Sequence, residues 1–264
     1  MAKVELLTSA ANPLLKDVRR AIARGCLTAG GYCVAETFHL LEEALRSGCE
    51  VAAVVAAQSV RAAVESHVGS LSGIRVIVLP ETLFRGLAAT ESTQGVMALV
   101  RPPSWRLDQL FRGQSLLLVL DGIQDPGNAG TMVRTAEAFA ATGLILLKGT
   151  VSPFNSKAIR ASAGSLFRLP FAYGVDGSIA LAALKRHKLD VYAATPGGAK
   201  CLGEADLSRA CAFIIGGEGR GVSERLRAGA IELRIPVAQV ESLNAAMAAG
   251  ILLYEAHRQR TIGR

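Results

Sequence analysis

Short apolar runs alternate along this chain with stretches whose apolar residues return every third or fourth position. These are the two periods expected of buried strands and of helices packed on them. Near the start, Asn12 can cap a helix whose first residue is Pro13, with Leu14, Val18 and Ile22 on one face and Gly25 at its stop. "YCVAE" reads as a strand, "TFHLLEEALRSG" as a helix capped by Thr37 and closed at Gly48, and "VAAVVAA" as a buried strand. "SVRAAVESHV" predicts helix, "IRVIVL" strand, "ETLFRGLAA" helix and "GVMALV" strand, so residues 1–100 are expected to form a small α/β sandwich.

Two adjacent prolines and the lack of a clear period make "RPPSWRLDQLFRGQ", residues 101–114, the best candidate for a linker. Beyond it, over residues 115–264, the runs "LLLVL", "LILL", "DVYAAT", "AFIIGG" and "ELRIPV" are separated by stretches of helical length. That alternation predicts a mainly parallel sheet covered by helices.

Composition narrows the class. Half of the 264 residues are apolar and 19% are charged, which suits a chain that buries a core and argues against a disordered one. The net charge of +7 favours an anionic partner such as nucleic acid, and the larger share, +5 against +2, lies in residues 113–264. Cys26, Cys33, Cys49, Cys201 and Cys211 are odd in number and contain no CxxC pair, and the four histidines are scattered. Neither a disulfide framework nor a metal site is expected, and a reducing cytoplasm fits. The N-terminus lacks the apolar core of a signal peptide. The longest uncharged apolar stretch, "SLNAAMAAGILLY", is too short to cross a bilayer and predicts a buried helix, so no membrane partner is expected.

In an open parallel sheet, ligands bind beyond the carboxyl ends of strands. Three loops there carry the candidate chemistry: "DGIQDPGNAG", "ATPGGAK" and "GGEGRGVS". The last crowds glycines at a strand-to-helix junction, but without GxGxxG spacing or a ribose-binding acid on a neighbouring strand it is a weak dinucleotide signal. In the first, Asn128 or a neighbour is expected to cap a helix with Met132, Val133, Ala136, Phe139 and Ala140 on its apolar face, while Arg134 projects away from that stripe. Ser242 or Asn244 is expected to cap the final helix. The clustered cations Lys148, Lys157, Arg160 and Arg168 are candidates for phosphate contacts, or else are solvated loop charges.

"NAGTMVRTAEAF", "IIGGEGRGVS" and "IPVAQVESLNAAMAAGILLYEA" resemble, in order, spacing and setting, the three motifs of the SpoU (TrmH) family of RNA ribose 2′-O-methyltransferases. "SAANPLLKDVRRA", "VAETFHLLEEAL" and "TESTQGVMALV" resemble, more softly, the substrate-binding domain of the family's ribosomal-RNA members. The resemblance implies a SPOUT domain with an α/β trefoil knot, S-adenosyl-L-methionine held in the knot loops, and a homodimer in which one subunit's Arg134 faces the other's cofactor. It implies that Asn128 and Arg134 act at the ribose, that Glu218, Ser242 and Asn244 shape the site, and that Gly216, Gly217, Ile235 and Leu243 contact the cofactor. Thr195 and Gly197 would line its pocket, although "ATPGGAK" departs from the family's form there.

The implied reaction moves a methyl group from a sulfonium to a ribose hydroxyl. The hydroxyl is a very weak acid and must shed its proton as the bond forms. A guanidinium stays protonated in proteins, so Arg134 suits charge stabilisation and orientation better than proton removal. A tRNA ribose methyltransferase and a resistance-type enzyme share these motifs. An inactive RNA-binding assembly factor has no need of Asn128, Arg134, Glu218 and Asn244 together.

Overall fold

The structure, a computed structural model, describes residues 3–68, 73–90 and 92–261. It divides into two compact units, one of residues 1–103 and 152–168, the other of residues 104–151 and 169–264.

The first unit runs β1 (Lys3–Leu6), α1 (Pro13–Arg24), β2 (Cys33–Glu36), α2 (Phe38–Arg46), β3 (Val51–Ala57), α3 (Arg61–Val68), β4 (Arg75–Leu79), α4 (Glu81–Arg85) and β5 (Val96–Val100). Its sheet order is β1-β4-β3-β5-β2, with β4 parallel to β1 and β3, and β5 antiparallel to β3 and β2. Asn12 caps α1 by accepting from the Leu14 N–H at 2.9 Å, and Gly25 stops it in the left-handed region at φ 58°. The buried stripe of α1 is Leu15, Val18 and Ala21, one position round from the Leu14–Val18–Ile22 face read from the sequence. Leu14 and Ile22 flank it, packed half-buried against a core that includes Val55, Ile77, Phe84 and Met97.

The second unit supplies β6 (Leu116–Asp121), α5 (Pro126–Ala138) and β7 (Gly143–Leu147), and the chain then makes α6 (Ser156–Ser162), which belongs to the first unit. It returns through β8 (Phe171–Val175), α7 (Gly177–Arg186), β9 (Asp190–Ala194), β10 (Lys200–Cys201), β11 (Cys211–Gly216), α8 (Glu224–Arg227), β12 (Ile231–Arg234) and α9 (Ala245–Thr261). The seven strands are parallel throughout, in the order β10-β12-β9-β11-β6-β7-β8. Leu117, Val119, Ile145 and Ile214 form a core with Ala180 and Leu184 of α7. The stretch expected to be a linker contributes to that core: Leu110 is fully buried, and Trp105, Leu107 and Phe111 pack against it. Elsewhere in this unit α5 and α9 lie against each other, with the Phe139 and Tyr254 rings edge to face at 5.7 Å. Phe139 is half-buried, and Ala140, expected on the same apolar face of α5, is exposed at φ 57° just past the helix end. Helix α9 is buried along Ala245, Ala249, Leu252 and Ala256, yet Met247 and Tyr254 are 61% and 53% exposed. Among the described residues no helix is long and apolar enough to span a membrane, and no cluster of three or more metal-ligating side chains occurs.

Because all seven strands point the same way, the loops after β6, β9, β11 and β12 gather at one edge of the sheet. Close backbone crossings there admit only glycine, at Gly216, Gly217 and Gly198. A Cβ on Gly216 would lie 1.9 Å from the carbonyl carbon of Gly221 and 2.1 Å from the nitrogen of Val222. A Cβ on Gly198 would lie 2.8 Å from the carbonyl carbon of Leu233.

Two outcomes follow from this packing. Gly216→Ala, which drives a methyl group into backbone, should destabilise the protein by about 3 kcal/mol or more and abolish ligand binding at this edge, as read by thermal melts and calorimetry. Burial pushes the Cys33 thiol up to about 12 and the Cys211 thiol up to about 11. Iodoacetamide at pH 8 should therefore alkylate Cys26 and Cys201 in the native protein and reach Cys33 and Cys211 only after denaturation, a pattern peptide mass spectrometry resolves.

Candidate active site

Helix α5 starts with Asp125, whose carboxylate accepts the Asn128 N–H at 2.8 Å, followed by Pro126 in the first turn. The cap is Asp125, then, three residues before Asn128: an Asp–Pro pair combines a side-chain acceptor with a ring already set at helical φ. That frees the Asn128 amide for another task. Its Nδ2 donates to Glu218 Oε1 at 2.9 Å, across 90 residues of chain. Asn244 Nδ2 donates to the same oxygen at 2.9 Å and to Asn128 Oδ1 at 3.3 Å. Asn244 Oδ1 faces the other way and caps α9, accepting from the Ala246 and Met247 N–H groups at 2.9 and 3.3 Å. Asn244, and not Ser242, is therefore the cap. A carboxylate can only accept, so Glu218 fixes which end of each amide faces it.

The loop that carries Glu218 is held at both feet by one residue that sequence reasoning missed. Gly217 N–H donates to the Asp121 carbonyl at 3.0 Å, and Ser223 N–H donates to the Asp121 carboxylate at 2.8 Å. Between them Gly221 N–H closes onto the Gly217 carbonyl at 2.9 Å, with Gly219 and Gly221 at φ 87° and 64°. An acidic residue at the end of "LLLVLD" was the available signal, but its partners lie about a hundred residues away in the chain.

Beside this loop is a cavity of about 440 Å³, within the range that takes a nucleoside-sized ligand. Thr195, Gly216, Gly217, Ile235 and Leu243 line it, as do Glu218 and Ser242. Gly197 does not; it is exposed, and the wall at that point is Ala194, Thr195 and Pro196. The turn is drawn against β12 instead, since the Thr195 N–H bonds the Leu233 carbonyl at 3.0 Å and Gly198 makes the close crossing. Leu233, Val237 and Glu241 also line it, along with Arg220 of the loop. Apolar side chains, exposed loop backbone and the Glu218 and Glu241 carboxylates fit a ligand with a flat ring system at one end and positive charge at the other.

Arg134 is not part of this cluster. Six residues on from Asn128, it is rotated by about 240° and displaced by about 9 Å along the helix. Its side chain is exposed, with no hydrogen bond or ion pair among the described residues. The expected phosphate contacts are placed differently again. Arg160 and Arg168 lie in the first unit, where Arg160 pairs at 3.5 Å with the buried Glu36 and Arg168 pairs with Glu43. Lys157 is exposed in the first turn of α6, and Lys148 is exposed just past β7 in the second unit. The two arginines thus have intramolecular carboxylate partners that any phosphate must displace or share.

Comparison with known proteins joins these observations to a family. Residues 115–254 match the SpoU rRNA Methylase family model, and residues 12–98 match that of an MRM3-like substrate binding domain. The 23S rRNA (guanosine(2553)-2′-O)-methyltransferase RlmP of Bacillus subtilis (strain 168) is 32% identical over 94% of this chain and 97% of its own length. AviRb, a SpoU methyltransferase of Streptomyces viridochromogenes solved in complex with the cofactor AdoMet, superposes with a TM-score of 0.86 at 25% identity, covering 96% of this chain and all of its own. An AdoMet-bound rRNA methyltransferase from Sinorhizobium meliloti superposes with a TM-score of 0.82 at 29% identity over 97% of this chain and 98% of its own. The parallel sheet with its glycine crossings is accordingly the knotted α/β fold of SPOUT enzymes, and the chain belongs to the SpoU rRNA methylase family.

Proposed function

We propose that this chain transfers a methyl group from S-adenosylmethionine to a ribose 2′-hydroxyl of ribosomal RNA, acting as a homodimer in the cytoplasm. The observation that carries the reading is the Asn128–Glu218–Asn244 cluster at the lip of the cavity, in a chain of this family. When bound, S-adenosylmethionine supplies a methyl group activated by a sulfonium charge. Gly216, Gly217, Ile235 and Leu243 would hold it largely through backbone and apolar contact, with Thr195 closing the wall and Ser242 at its edge.

The protein's own part is positioning and charge. Both Nδ2 hydrogens of Asn244 are used, one on Glu218 and one on Asn128. Asn128 has one amide hydrogen left, and it donates to an oxygen of the incoming nucleotide. Glu218 Oε2 is the open acceptor of the cluster and takes a hydrogen bond from the 2′-hydroxyl. Holding hydroxyl and methyl donor in line supplies much of the acceleration. Arg134 stabilises the negative charge that develops on the oxygen as its proton leaves to a neighbouring acceptor.

In this reading Arg134 comes from a second subunit, which its exposure and its rotation by about 240° from Asn128 along α5 support. The exposed Met247 and Tyr254 on α9, which packs on α5, give that second subunit an apolar surface to seat on. Ribosomal RNA is favoured over tRNA by the substrate-binding unit and by an rRNA-modifying relative that matches nearly end to end. Lys157, Arg160 and Arg168 lie in that same unit and remain its candidates for phosphate contact.

Labelled methyl transfer to ribosomal RNA and to tRNA tests the reaction. Wild type should label rRNA ribose, and Arg134→Ala should lower kcat by about 100-fold or more with cofactor affinity unchanged. Label in tRNA alone would overturn the substrate, and absence of both label and cofactor binding would leave an RNA-binding protein. Mixing and reassociating two inactive variants, Arg134→Ala and Asn128→Ala, should restore activity to about a quarter of wild type, since half the dimers would be mixed and each would hold one intact site. Failure to complement would place Arg134 in its own subunit's site.

A second pair of variants separates structure from chemistry at Asn244. Asn244→Ala removes the α9 cap and should cost about 1 kcal/mol in a denaturant melt. Asn244→Asp keeps the capping acceptor but sets a second carboxylate against Glu218, so it should retain more of the stability while losing methyl transfer to a similar degree.

A further inference from the structure

Most arginines of the second unit are already engaged. Arg186 pairs with Asp108 at 2.6 Å, Arg258 with Glu255 at 2.7 Å, and Arg227 faces Glu232 at 3.9 Å. Arg234 and Arg260 donate to backbone carbonyls. Arg220 is different. It lines the cavity, it is exposed, and its guanidinium has no hydrogen-bond or ion-pair partner among the described residues.

Its backbone is nevertheless held in place. The loop from Gly217 to Ser223 is pinned at both feet to Asp121 and closed across its neck by Gly221. Two residues before Arg220, Glu218 is tied to Asn128 and Asn244. The Cα atoms of Glu218 and Arg220 can be no more than about 7 Å apart, so an unpaired cation stands one side-chain length from the cluster that receives the ribose. Every ribose of an RNA strand is flanked by phosphates.

We propose that Arg220 binds the RNA backbone phosphate adjacent to the target ribose and so sets the register of the nucleotide over the cavity. The inference rests on the methyl-transfer reading and names the group that positions its substrate. The cofactor's carboxylate is the competing anion, and the lining argues against it. The other charged residues of the cavity are Glu218 and Glu241, an arrangement suited to the cationic end of that ligand. The forked guanidinium matches phosphate geometry, and phosphate contacts are what fix register on a nucleic acid.

The test compares wild type with Arg220→Gln and Arg220→Lys on deproteinised ribosomal RNA, measuring kcat, KM, the salt dependence of RNA binding, and cofactor Kd by calorimetry. Arg220→Gln should raise KM for RNA by about 10-fold, leave cofactor Kd and the melting temperature unchanged, and reduce the slope of log K against log salt by about 0.7 to 1. Arg220→Lys should recover part of the KM and most of the slope, since it keeps the charge but not the fork. An unaltered KM and salt slope would overturn the proposal, and a cofactor Kd that weakens in step with KM would reassign Arg220 to the cofactor's carboxylate. If wild type itself methylates no RNA, the methyl-transfer reading fails, and the salt slopes of RNA binding for wild type and Arg220→Gln still decide whether the phosphate contact exists.

Discussion

Everything at the ligand edge depends on a crossing of two backbone segments where no side chain fits. At Gly216 the chain leaves β11 with the Gly221–Val222 peptide pressed against its Cα, closer than any Cβ could tolerate. That contact folds the Gly217–Ser223 loop back over its own strand, and Asp121 at the end of the neighbouring β6 then captures both feet. Glycine is used here for the space it leaves. Conformational freedom is the second use, at Gly219 and Gly221, whose positive φ lets the loop turn within five residues.

From that crossing the site assembles by elimination of alternatives. The loop presents Glu218 outward, where a carboxylate lacking partners would simply be solvated. Two amides arriving from α5 and from the cap of α9 give it a fixed place instead. Each of those amides is oriented by a second bond through its oxygen, since Asn244 Oδ1 is committed to the α9 cap and Asn128 Oδ1 accepts from Asn244 Nδ2. The cluster is exposed, so its worth to stability is modest. In the proposed reaction its value is preorganisation, with donors and acceptors aimed before the substrate arrives.

Much of the fold was legible because it is local. Asn12, Pro13 and Gly25 mark a helix by rules that operate within a few residues, and runs such as "VAAVVAA" or "AFIIGG" read as strands because both faces of a covered sheet are apolar. The misreadings came where local rules compete or stop. Asp125 and Asn128 are both good caps, and the proline between them decides in favour of Asp125. Asp121 holds a loop about a hundred residues away, and α6 packs in the first unit although it lies between two strands of the second; neither can be seen without the folded chain. The short β10 and the strand β8, with its exposed Tyr173, carry too little apolar period to declare themselves. The candidate site residues came from the resemblance to the family's motifs, because spacing alone makes Glu218 one more acid in a glycine-rich turn.

Charge shows the same limit most clearly. A net charge of +7 points toward nucleic acid, yet it does not say which cations are available. The cluster "KGTVSPFNSKAIRASAGSLFR" looked basic by count, and in the folded chain Arg160 and Arg168 are matched to Glu36 and Glu43. Glu36 is 2% exposed and also accepts from the Ala89 N–H and the Thr90 hydroxyl, so its pairing with Arg160 satisfies a buried charge before it serves any ligand. Arg134 and Arg220 are single cations, each within one of the motif stretches, and both are without acceptors among the described residues. A guanidinium costs little to keep hydrated at a surface, but it binds a phosphate tightly only if no carboxylate already occupies it. For an RNA-modifying chain, the informative quantity is therefore the small set of positive charges that the fold leaves unneutralised, and here one of them stands directly on the loop that the glycine crossing builds.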